Sequence, residues 1–235
     1  GAGTVTATLE LSTISGLPAT IDLVTSGSAT IATDYTLAAA QIVIPAGQTT
    51  GTVSLTIVSD SIDEIDELAV LTIDAATGAT IGSPTTHTVT ITDDDLPPAI
   101  SFAVATSSAT EGSGTATIDA LLSVPSSLAV SVTVSASASG TATAADYTLA
   151  TTTLTFPAGQ VTATASVTLL ADTTHEGTET VALTLSGPSN ATLGTPSTHT
   201  LSITDDDPEP VVEFSITTQT VLESAGTVSV GITLT

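Results

Sequence analysis

The side chains able to do chemistry in this sequence are carboxylates, and they recur at fixed spacings. Asp60, Glu64 and Glu67 form an Asp-x3-Glu-x2-Glu segment that returns as Asp172, Glu176 and Glu179. Asp34 returns as Asp146, the triplet Asp93-Asp94-Asp95 as Asp205-Asp206-Asp207, and Glu111 as Glu223. Oxygen donors in this density suit a hard cation, and paired carboxylates also suit glycoside hydrolysis.

Composition decides between these chemistries. The chain has 24 Asp and Glu and no Lys or Arg, for a formal charge of −24. Two carboxylates about 4 Å apart repel by roughly 4 kcal/mol at an effective dielectric near 20. A cluster of them would consume much of a domain's net stability of about 5–15 kcal/mol. No cationic side chain offsets this, so the acids must bind cations, take up protons or splay apart. Hydrolysis needs a cleft with stacking aromatics, but aromatics are 2% of residues and Trp is absent. No Ser-His-Asp set falls at one end of the expected fold, so no enzymatic activity is expected. Nucleic acid is excluded as a partner because nothing neutralises phosphate, and an anionic membrane surface is excluded on the same ground. No 18-residue apolar run spans a bilayer. Without Cys or a second kind of crosslinking residue (Lys is absent), any staple between modules must be a bound ion.

The elements that position the acids come from an internal repeat. Asp34-Tyr35-Thr36-Leu37 returns as Asp146-Tyr147-Thr148-Leu149, and Pro45-Ala46-Gly47-Gln48 as Pro157-Ala158-Gly159-Gln160, each displaced by 112 residues. A repeat this long is a whole domain. Within it the hydrophobic period is two, as in Val53, Leu55 and Ile57, in Ala69, Leu71 and Ile73, and in Val228, Val230, Ile232 and Leu234. That is the pattern of half-buried antiparallel strands. In the second repeat it predicts strand A at Ile100–Val104, B at Thr115–Leu122, C at Val130–Ala136 and D at Leu154–Phe156. Strands E, F and G follow at Ala163–Leu170, Thr180–Leu185 and His199–Thr204.

The expected fold is therefore all-β: tandem seven-stranded Greek-key β-sandwiches of immunoglobulin-like shape, without the Cys–Trp–Cys core. Residues 1–96 read as a repeat lacking its first strand, 97–208 as a complete repeat, and 209–235 as the first two strands of a third. This frame reads as an excerpt of a longer array. Subunits that complete one another by strand donation in a filament are the competing reading.

If strands alternate up and down, loops A–B, C–D and E–F share one end with the exit of strand G. Glu111, Asp146, Asp172, Glu176, Glu179 and Asp205 to Asp207 all fall there, as do Asp34, Asp60, Glu64, Glu67 and Asp93 to Asp95, and Glu223 begins a third such end. Calcium, with six to eight oxygen ligands from flexible loops, fits better than magnesium's strict octahedron, and zinc would want His or Cys. The exit of G is also the entrance to the next module, through the short linkers Leu96-Pro97-Pro98 and Pro208-Glu209-Pro210. An ion held there would fix the angle between modules.

These residues and motifs, taken together, resemble the Calx-beta domain family over the whole chain. The resemblance implies a seven-stranded sandwich that binds several calcium ions at one end through the carboxylates named above. Asp63 and Asp66 are additions that the second repeat lacks, either ligands or solvated. The expected function is a calcium-binding structural module of an extracellular array at a bacterial cell surface, in a fibre, stalk or adhesin. Its partners are neighbouring modules, or identical chains in a filament. A calcium-responsive regulatory module is the alternative. His87 and His199 are expected to be packed or hydrogen-bonded, and His175 to tune the acids rather than ligate. Asn190-Ala191-Thr192 is a glycosylation sequon.

Overall fold

The computed structural model describes residues 3–234, so the expected boundaries at residues 1 and 235 lie outside the described residues. Two β-sandwiches follow one another along the chain, each with its own hydrophobic core. The first module runs β1 (Gly3–Glu10), β2 (Ala19–Gly27), β3 (Tyr35–Leu37), β4 (Gln41–Ile44), β5 (Thr50–Ile57), β6 (Glu67–Thr77) and β7 (Thr86–Ile91). One sheet has the order β1-β5-β3 and the other β4-β2-β6-β7.

The second module runs β8 (Ala99–Phe102), β9 (Thr106–Thr110), β10 (Gly114–Leu122), β11 (Val130–Ser137), β12 (Tyr147–Leu149) and β13 (Thr153–Phe156). It continues with β14 (Thr162–Leu169), β15 (Glu179–Ser189), β16 (Thr192–Leu193) and β17 (Thr198–Thr204). Its sheets have the orders β12-β14-β10-β8-β16 and β13-β11-β15-β17-β9. The B-to-C and E-to-F connections pass from one sheet to the other. Alternation drives the assembly: along β11, Val130, Val132 and Val134 are buried, and Leu154 and Phe156 of β13 meet them across the ladder. Truncating such a buried Phe costs about 3–5 kcal/mol.

Strand A departs from the expected single run at Ile100–Val104. It divides in two. β8 pairs antiparallel with β10, and the chain then crosses the sandwich so that β9 pairs parallel with β17 in the other sheet. β9 is Thr-Ser-Ser-Ala-Thr, which carries no apolar alternation, so periodicity could not find it. Two further short strands, β12 and β16, extend the first sheet at its edges.

The third segment forms β18 (Val212–Phe214) and β19 (Ile232–Leu234), which pair with each other, separated by a 3-10 turn at Glu223–Ala225. Val228 and Val230 lie outside any strand, contrary to the alternation that predicted one. Their counterparts in β10 are held along a full ladder with β14. Among the described residues no such ladder partner reaches them, and β geometry needs one.

Candidate metal centre

Each acidic loop is fixed before any ion is considered. Asp146 sits at the mouth of β12, where its Oδ2 accepts from the Thr143 amide at 2.5 Å and the Thr143 hydroxyl at 2.9 Å, and its carbonyl accepts from the Leu170 amide at 2.9 Å. Asp34 repeats the arrangement, accepting from the Thr30 amide at 2.5 Å and holding the Val58 amide at 2.9 Å. Asp60 and Asp172 each cap a turn two residues on, accepting from the Ile62 and Thr174 amides. Glu67 and Glu179 are the first residues of β6 and β15, so the sheet aims them. Glu111 stands at the tip between β9 and β10, pinned by its amide to the Thr204 carbonyl at 3.0 Å.

Three acid clusters result among the described residues: Asp34, Glu64 and Glu67; Glu111, Asp205 and Asp207; and Asp146, Glu176 and Glu179. Within each, one oxygen from every member lies within 4.8 Å of the others. Calcium–oxygen distances are about 2.3–2.6 Å, so a central ion could reach every oxygen of a set this tight. Asp60, Asp93, Asp94 and Asp95 line the same cavity as the first cluster, together with Val5, Ile57 and Ile91. The charge of Asp172 raises both Glu111 and Glu176, one from each cluster of the second module.

The electrostatics are those of a crowd of like charges. Burial first, then the charges of Asp205 and Asp207, push the Glu111 carboxyl up to about 7. Burial and neighbouring carboxylates also raise Glu64, Glu67, Asp95, Glu176 and Glu179. Asp146 moves down, because the Thr143 amide favours its charged form. Among the described residues two carboxylate oxygens, Glu111 Oε1 and Asp207 Oδ2, are buried with no hydrogen-bond partner. A buried, unpartnered carboxylate oxygen is costly unless a cation meets it. The residues present therefore fit a hard divalent cation.

The structure sorts the candidates. Of the Asp triplets, which lie just past the ends of β7 and β17, the outer members Asp93, Asp95, Asp205 and Asp207 are half-buried, while Asp94 and Asp206 are exposed. Asp206 joins no cluster among the described residues. Glu223 is exposed in the 3-10 turn and joins none either. Asp63, left open above between ligand and solvated residue, is not solvated: it is 6% exposed and accepts from Ser126 of the next module. Asp66 accepts from the Asp93 amide at 3.1 Å and so braces the triplet. His175 Nδ1 lies 2.7 Å from Asp205 Oδ2 and 3.1 Å from the Asp207 carbonyl, which raises its pKa.

The two other histidines differ from each other. His199 is buried, its Nδ1 donating to the Val104 carbonyl and its Nε2 bonded to Ser107 Oγ, both at 2.8 Å, beside the ring of Phe102. It clamps the point where strand A changes sheets. His87, at the equivalent place in β7, is exposed. Asn190 of the sequon donates to the Ala129 carbonyl at 2.9 Å.

Fold and site together define a class: tandem β-sandwich modules with carboxylates gathered at one end of each. The Calx-beta domain profile matches residues 19–95, 93–207 and 205–235, and the chain belongs to that family. Solved structures of similar shape include CBD12 from CALX1.2, at 16% identity over 86% of this chain and 93% of that one, with a TM-score of 0.42. The apo-form Calx CBD1 domain is 22% identical over 47% of this chain and 98% of its own, with a TM-score of 0.44. The calcium binding domain CBD12 of CALX1.1 is 18% identical over 83% and 76%, with a TM-score of 0.39. No curated protein matches the sequence.

Proposed function

We propose that this chain is a calcium-binding structural segment of a long extracellular array at a bacterial surface, in a fibre, stalk or adhesin, in which calcium stiffens the joints between modules. The observation that carries it is the pair of buried, unpartnered oxygens on Glu111 and Asp207, inside a set of acids with no Lys or Arg to balance them. Calcium supplies the missing positive charge and six to eight coordination positions. Asp34, Asp60, Glu64, Glu67, Asp93 and Asp95 would hold it in the first module. Glu111, Asp146, Asp172, Glu176, Glu179, Asp205 and Asp207 would hold it in the second.

The joint supports a mechanical role. Asp93 to Asp95 line the acidic cavity and run directly into Leu96-Pro97-Pro98 and then β8. An ion on Asp93 and Asp95 would tie this linker to the loops of its own module. Thermal unfolding and small-angle scattering with calcium and with chelator test the reading. Calcium should raise the melting temperature and lengthen and stiffen the particle in the millimolar range. Equal curves in both media overturn it. A large shape change at micromolar calcium would favour a responsive, regulatory module instead.

A further inference from the structure

The joint between the two modules contains a contact that involves no ion. Asp63 lies in the acidic E–F loop of the first module, and Ser126 in the B–C loop of the second, where they form a single parallel β-bridge. Ser126 Oγ lies 3.0 Å from Asp63 Oδ2 and 3.1 Å from its carbonyl. The Ser127 amide donates to the same carbonyl at 3.0 Å. Both residues are buried, Asp63 at 6% exposure and Ser126 at 2%. Among the described residues Asp63 shares no cluster with the other acids.

The seat that receives Asp63 is built by the second module itself. The Pro157-Ala158-Gly159-Gln160 turn closes with the Gln160 amide on the Pro157 carbonyl, and Gly159 has φ of 76°, the left-handed geometry of a type II turn's third position. The Gly159 amide then donates to the Ser126 carbonyl at 2.8 Å, and the Leu128 amide to Ser126 Oγ at 3.0 Å. The first module repeats this seat bond for bond. The Gly47 amide donates to the Ser15 carbonyl at 2.9 Å, the Leu17 amide to Ser15 Oγ at 3.1 Å, and Gly47 has φ of 82°. The seat is therefore a property of the module and not a product of the contact.

We propose that the Pro-Ala-Gly-Gln turn and the serine it holds form a docking seat for the E–F-loop aspartate of the preceding module, so that Asp63 is a joint residue and not an ion ligand. The partner that fits the seat at Ser15 is another module of this kind with aspartate at the Asp63 position. His175 occupies that position in the second module and turns back onto Asp205 instead, so the side-chain half of the clasp is specific to the first joint. The clasp stands whether or not the acid clusters hold calcium.

The chain has no Cys, so Thr52→Cys and Thr162→Cys give one spin-labelled site on an exposed strand position of each module. Pulsed electron paramagnetic resonance then reads the spread of inter-module distances, with calcium and with chelator. Asp63→Ala and Ser126→Ala should each broaden the distribution relative to the parent in both media, and the double variant should be no broader than either. Asp63→Asn keeps an acceptor oxygen and should preserve the narrow distribution, with calcium affinity within about threefold of the parent. An unchanged distribution in Ser126→Ala overturns the proposal. So does a loss of tenfold or more in calcium affinity for Asp63→Asn, which would make Asp63 a ligand. Absence of calcium binding in every variant, the parent included, would count against the calcium reading and leave the clasp to be judged by the distances.

Discussion

Glu179 and Asp146 bring carboxylate oxygens within 4.8 Å of each other, and Glu67 and Asp34 do the same in the module before. Two carboxyl groups can share a hydrogen bond only when one of them carries a proton. Without a metal, each pair therefore competes for protons. A bound cation would be held by both carboxylates and would favour their charged forms.

Substituting Glu179→Gln should thus have opposite effects in two media. In chelator it removes a like charge beside Asp146 and should leave the second module as stable as the parent or more so. In calcium it removes a ligand and should weaken binding about tenfold, or about 1.4 kcal/mol. Glu67→Gln should do the same in the first module. Melting curves of both variants, with and without calcium, check the crossing.

The pH dependence follows from Glu111, whose folded pKa is raised from 4.5 to about 7. A carboxyl raised on folding binds its proton more tightly in the folded state. Its contribution is fully present below pH 4.5 and is lost as the pH rises through about 7. Metal-free protein should therefore melt higher at pH 5 than at pH 7.5, and Glu111→Gln should flatten that difference. Calcium binding between those pH values should release protons, measurable as a buffer-dependent heat in calorimetry.

The histidines should separate sharply. His199→Ala leaves the Val104 carbonyl and the Ser107 hydroxyl without their partner, and should cost the second module at least about 1–3 kcal/mol. His87→Ala removes an exposed side chain and should leave the first module within about 0.5 kcal/mol. Calorimetric unfolding of the two variants beside the parent measures both.

Much of this architecture is legible in the residues, and the gaps have physical causes. The strands read from alternation are those whose inward positions are Val, Leu, Ile or Phe, as in β11 and β13. β9 is invisible because its inward positions are Ser and Ala, and its place is decided by a parallel ladder to β17 far along the chain. The convergence of the E–F acids with Asp34 or Asp146 follows from counting strands, since an even number of reversals returns a loop to the same end. The direction of each member of an Asp triplet does not follow from that count. It depends on how the chain runs past the end of β17, which leaves Asp205 and Asp207 half-buried and Asp206 exposed.

Asp63 shows a different limit. In sequence it is one more acid in an acidic loop. Its partner, Ser126, lies in another module, and only the packing of one sandwich on the next brings the two together. The one available signal was the mismatch of Asp63 with His175 between loops that share Asp60/Asp172, Glu64/Glu176 and Glu67/Glu179.

Equilibrium dialysis against radioactive calcium, at millimolar concentration and neutral pH, tests the central claim most directly. The described residues present three acid clusters, and the account predicts at least one ion bound for each, falling when Glu64, Glu176 or Asp205 is replaced by its amide. A chain that retains no calcium above the bath would contradict it.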